Sequence, residues 1–116
     1  MHEVSLVEML IQQVGSEVDR CGHTGRVVRL ELAVGPFSGV HGDSLRFAFE
    51  LLSPGTLVEG AEMEITKPRA ICRCGVCDAQ AEIDEPVVRC PECHAENIVI
   101  EGGRELILQS IELEDD

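Results

Sequence analysis

The sequence predicts a small α+β fold: two helices packed on a three-stranded sheet, with a zinc-ribbon-like four-cysteine module inserted before the last strand. Three observations carry this reading. Apolar residues recur at helical spacing in two stretches and alternate at strand spacing in three. These stretches follow the order helix, strand, helix, strand, strand. Between the last two strands the apolar runs shorten and the cysteines cluster.

The first helix is read from SLVEMLIQQVGSEVDRCGH. Val7, Leu10, Ile11, Val14 and Val18 fall on one stripe at three- and four-residue spacing. Ser5 and Glu8 have the spacing of a capping box, which makes Ser5 the N-cap and Leu6 the first helical residue. Gly22 suits a left-handed stop after the last turn. Cys21, at that end, is read as a small apolar packing residue. Met1, His2 and Glu3 then lie within a few residues of a helix start, so their reach is short.

Residues 26–34, RVVRLELAV, alternate as a half-buried strand, with Val28, Leu30, Leu32 and Val34 on one face and Arg29 and Glu31 on the other. GPFSGV is a loop by composition. A second helix runs from about Asp43 to Leu52, with Leu45, Ala48, Phe49 and Leu52 facing the core, and SPGT breaks it. AEMEIT (61–66) and RELILQSIELE (104–114) supply the other two strands. The first domain is therefore discontinuous, 1–67 and 104–116, and the module spans 68–103 between KPR and GGR.

The 116 residues have room for one ordinary core plus a module held together by something else. With three Phe and no Trp or Tyr, that core is aliphatic. A formal charge of −13 opposes nucleic-acid binding, because a polyphosphate is held by a basic face that releases its counterions. No run approaches a membrane span and no leader pattern is visible, so the expectation is a cytoplasmic protein without membrane insertion. Six cysteines in such a chain point to metal or thiol chemistry rather than a disulfide framework.

Within the module, Cys74-x2-Cys77 and Cys90-x2-Cys93 are two knuckles separated by twelve residues. Four thiolates so spaced match the tetrahedral preference of Zn²⁺. Gly75 and Pro91 suit the tight turns. Cys72 and His94 are neighbouring candidate ligands, but four cysteines already fill a site. A filled site leaves no position for water, which argues against catalytic zinc, and no nucleophile triad, phosphate loop or HExxH motif is present. The chain reads as a non-enzyme.

The opening MHE offers a second set of donors. The Met1 amine, the His2 backbone nitrogen and the His2 imidazole can close a five- and then a six-membered chelate ring. The Glu3 backbone nitrogen or carboxylate supplies a fourth donor. Planar, nitrogen-rich coordination is what Ni²⁺ and Cu²⁺ prefer, and it requires a free amine on Met1.

MHEVSL, RLELAVGPFSGVHGDSLRFAFELL, EGAEMEI, the knuckles with CPECH, and GRELILQSIELE together resemble the HypA family of nickel chaperones for [NiFe]-hydrogenase maturation. The resemblance runs over essentially the whole chain. It implies transient carriage of Ni²⁺ to a hydrogenase large-subunit precursor, in concert with a HypB-type GTPase, by a monomer or weak dimer; some members also supply urease. It maps the nickel site to Met1, His2 and Glu3, and structural Zn²⁺ to Cys74, Cys77, Cys90 and Cys93. Cys72 departs from the usual pattern. Aligned without a gap, His41 falls where the family often has Asp or Glu beside the N-terminus, so His41 is a further nickel candidate, with Asp43 two residues on. The rival reading is a zinc-ribbon interaction module in which the N-terminus plays no part.

Overall fold

The computed structural model describes residues 2–22 and 25–114, with His2 described in its backbone only. Met1 and the His2 side chain, both expected as nickel ligands, therefore lie outside the described residues. The elements are α1 (His2–Cys21), β1 (Val27–Val34), α2 (Gly42–Leu52), β2 (Glu62–Thr66), β3 (Ala70–Cys74), β4 (Gln80–Ile83), β5 (Ile98–Glu101) and β6 (Leu106–Leu113). They form two three-stranded sheets, ordered β2-β1-β6 and β4-β3-β5. Two helices and two small sheets make the fold mixed α+β. No helix among the described residues is long and apolar enough to cross a membrane.

The chain divides into two compact units, Met1–Leu32 with Val40–Thr66 and Ile107–Asp116, and Ala33–Gly39 with Lys67–Leu106. In the first, Val7, Leu10, Val14 and Val18 of α1 are buried, as are Leu45, Ala48 and Phe49 of α2 and Leu30 of β1. Each fully buried Val or Leu contributes about 1.5–3 kcal/mol relative to exposure. Arg46 ties α2 to β2 by donating from Nη1 to the Met63 carbonyl at 2.6 Å. Arg26 donates from Nη2 to the Glu59 carbonyl at 2.9 Å.

Several local expectations are corrected. α1 begins at His2, so Ser5 lies exposed inside the helix and caps nothing. Residues 2–5 contain no Gly or Pro to stop the helix, and Glu3 in the first turn favours it through the dipole. Gly22 does stop it, at φ +69°. Cys21 is exposed rather than packed, its thiol donating to the Val18 carbonyl at 3.4 Å. On β1, Val28 is 37% exposed while Val27 is buried. Ala33 is buried too, so the strand is apolar on both faces toward its ends, and simple alternation does not sort those residues.

In the second unit, β3 pairs antiparallel with β4 (Cys72↔Ala81) and with β5 (Cys72↔Ile100). Ala70, Cys72 and Ile83 form a small core, closed by Phe37, Val87 and Ile98. The segment Ala33–Gly39 joins this unit through main-chain bonds. The Gly35 N–H donates to the Glu105 carbonyl at 2.8 Å, and the Phe37 N–H to the Gly103 carbonyl at 2.6 Å.

Candidate metal centres

The two knuckles are built alike. In the first, the Val76 and Cys77 N–H groups donate to the Cys74 sulfur at 3.3 and 3.4 Å. In the second, the Glu92 and Cys93 N–H groups donate to the Cys90 sulfur at 3.3 and 3.5 Å. The Cys74 N–H reaches the Ala79 carbonyl and the Cys90 N–H the Ala95 carbonyl, at 3.0 and 2.8 Å. The residue after each second cysteine, Asp78 or His94, takes a left-handed backbone with φ +62° or +65°. That turn reverses the chain so that both sulfurs of a knuckle face one point.

The four sulfurs of Cys74, Cys77, Cys90 and Cys93 lie within 4.8 Å of one another. Across the knuckles, Cys74 and Cys93 are 3.6 Å apart and Cys77 and Cys90 3.7 Å. Four ligands at ~2.3 Å from a tetrahedral Zn²⁺ stand about 3.8 Å from one another. The separations fit such an ion and are far beyond a disulfide bond of ~2.05 Å.

Electrostatics favour an ionised first ligand. The N–H groups of Cys77 and Val76 bring the Cys74 thiol down to about 6. Cys77 receives the Ala79 N–H, which favours its thiolate, but desolvation and hydrogen bonds shared with Cys93, Cys74 and Cys90 push it up to about 12. Cys93 is raised too: its Ala95 N–H and the hydrogen bond with Cys77 are outweighed by desolvation and the hydrogen bonds with Cys74 and Cys90. A divalent cation at the centre would stabilise all four as thiolates.

Cys72 is not part of this cluster. It is 2% exposed in the core under β3, and burial pushes its thiol up. Strand alternation puts Cys72 and Cys74 on one face, but only Cys74 reaches the knuckle turn. His94 is exposed, its N–H donating to the Cys90 carbonyl at 2.9 Å, and its side chain is not among the clustered ligands.

In the first unit, Glu3 and Val4 of α1 line an open cavity of about 520 Å³ with Asp43, Ser44, Phe47, Ala48 and Leu51 of α2. Glu3 and Asp43 thus share one recess. His41 is the N-cap of α2: the Ser44 N–H donates to its Nδ1 at 3.3 Å, and Nδ1 and the Ser44 hydroxyl are 3.0 Å apart. It is Asp43, not His41, that lines the recess with Glu3. Exposed Phe47 and Leu51 are lining residues that helical periodicity did not single out, because they lie off the core stripe.

Comparison with known proteins agrees with this architecture. The family described as hydrogenase/urease nickel incorporation, metallochaperone, hypA matches residues 1–113. The hydrogenase maturation factor HypA of Chlorobium limicola is 36% identical over 115 residues, covering 99% of this chain and 98% of that one. The HypA of Dehalococcoides mccartyi is 32% identical, covering 100% and 97%. A HypA protein solved in solution is similar with TM-score 0.68 at 25% identity, covering 98% of this chain and 97% of that one. The Ni metallochaperone HypA of Helicobacter pylori shares the fold, with TM-score 0.65 at 22% identity and 98% coverage of both chains.

Proposed function

The chain belongs to the HypA family of nickel-incorporation metallochaperones, and on that basis we propose that it binds Ni²⁺ at its N-terminus and delivers it to a [NiFe]-hydrogenase precursor. The Met1 amine, the His2 backbone nitrogen and imidazole, and Glu3 are the ligands. The observation that carries this reading is the start of α1 at His2. The first N–H groups of a helix have no acceptor inside it. A metal can therefore displace protons from the His2 and Glu3 nitrogens without breaking a helical hydrogen bond. The recess shared by Glu3 and Asp43 adds negative charge where a dication arrives.

Zn²⁺ at Cys74, Cys77, Cys90 and Cys93 is structural in this reading, holding a unit whose own core is small. The domain assignment follows the metals: nickel to 1–67 and 104–116, zinc to 68–103. The partners are a HypB-type GTPase and the precursor, with urease as a second destination, in the cytoplasm. His41 accepts the Ser44 N–H at Nδ1 as the cap, which places the proton of the neutral ring on Nε2, so His41 serves as a nickel donor only by giving up that proton or leaving the cap.

Nickel titration of untagged protein against an N-terminally acetylated copy and a His2→Gln variant tests the site. Loss of tight nickel binding in both, with zinc content unchanged, is the expected result. Undiminished affinity in either would leave the rival reading, an interaction module organised by zinc alone.

A further inference from the structure

The outward side of α2 carries two large exposed apolar side chains beside a recess. Phe47 and Leu51 are 62% and 60% exposed, one turn apart, although Leu45 and Phe49 are buried on the helix's other side and Ala48 is buried beside them in the recess. Asp43, Phe47 and Leu51 form a single ridge at four-residue spacing. With Glu3 and Val4 of α1 they enclose the recess of about 520 Å³. Its floor is apolar. The charged side chains that line it are the carboxylates of Glu3 and Asp43, and among the described residues neither has an ion-pair partner.

We infer that this groove docks an amphipathic helix of a partner protein, one presenting large apolar side chains at four-residue spacing and a Lys or Arg against Glu3 and Asp43. An i±4 ridge beside a second wall is the surface into which the ridge of another helix packs. Exposed aromatic and aliphatic anchors with a charged rim are how such sites combine affinity with selectivity. Charge decides the occupant. A second copy would bring the same two carboxylates and a net charge of −13 to the contact, and an anionic lipid surface would be repelled as well. The inference goes beyond nickel binding, since the groove is complete without a metal.

The test uses full-length, zinc-loaded, nickel-free protein and a capped alanine-based helical peptide carrying two Leu one turn apart and Lys on the next turn. Two twin peptides replace Lys by Glu, or both Leu by Ser. The expected result is saturable NMR shift changes at the Val4, Phe47 and Leu51 amides with the Leu/Lys peptide, weakened about tenfold or more in each twin. Phe47→Ser and Leu51→Ser, both at exposed positions, should weaken binding likewise. Met9→Ser, exposed on α1 and outside the groove, should not. Asp43→Lys should reverse the preference toward the Glu peptide. Shifts absent, shifts mapping elsewhere, or equal binding of the Lys and Glu peptides would overturn the inference. So would a dimer in sedimentation that Phe47→Ser abolishes, since the face would then belong to a second copy. Because no nickel is present, failure here leaves the nickel reading untouched, and loss of nickel binding leaves this one untouched.

Discussion

Gly103 and Phe37 are in direct contact: the Phe37 N–H donates to the Gly103 carbonyl at 2.6 Å. A Cβ on Gly103 would lie 2.6 Å from Cδ2 of the Phe37 ring and 2.9 Å from the Ala70 Cβ. Gly103 also has φ +88°. Strain and clash therefore act together. Gly103→Ala should destabilise the chain by about 2 kcal/mol or more, read as a lower denaturation midpoint, with new NMR shifts at Phe37 and Ala70.

Cys74→Ser or Cys90→Ser should reduce zinc per chain, measured by elemental analysis, to near zero. Each replaces a soft thiolate ligand, and the sulfur that accepts two backbone N–H groups, by a shorter hydroxyl that is a poor zinc ligand. Cys72→Ala should retain full zinc and cost roughly 1–2 kcal/mol through the small void it leaves in the core. Loss of zinc from Cys72→Ala would make Cys72 a ligand.

Removing zinc with a chelator should broaden the NMR signals of the second unit, or collapse their dispersion, because its core is three buried residues. The α1 and α2 signals should persist. Metal and proton compete for the same sulfurs. The thiols of Cys77 and Cys93 are raised, so zinc uptake releases protons and affinity grows with pH. The depressed Cys74 thiol works in the same sense: its thiolate is favoured fully above its ordinary value of 9.0 and lost as pH falls through about 6. Zinc retention should therefore fall steeply on acidification toward that pH.

His41→Ala should cost about 1 kcal/mol by removing the N-cap of α2. His41→Asn should recover most of it, since Asn is also a good cap. Thermal unfolding of the two variants measures the cap. Nickel titration of the same pair separates a ligand from a cap, because only a ligand role predicts weaker nickel binding in both.

The order of the first-unit elements, the buried stripe of Val7, Leu10, Val14 and Val18, and the four cysteines that converge were all legible in the sequence. They follow from spacing along one stretch of chain: helical period, strand alternation, and a Cys-x2-Cys turn that presents both sulfurs together. Other features needed the folded chain. Whether Cys72 or Cys74 belongs to the metal cluster depends on where β3 ends and the knuckle turns. The meeting of Glu3 with Asp43, and of Phe37 with Gly103, joins residues 40 and 66 positions apart in sequence. Local periodicity carries no information across such separations. Only the packing of α1 against α2, and the hydrogen bonds lacing Gly35 and Phe37 to residues 103–105, bring them together.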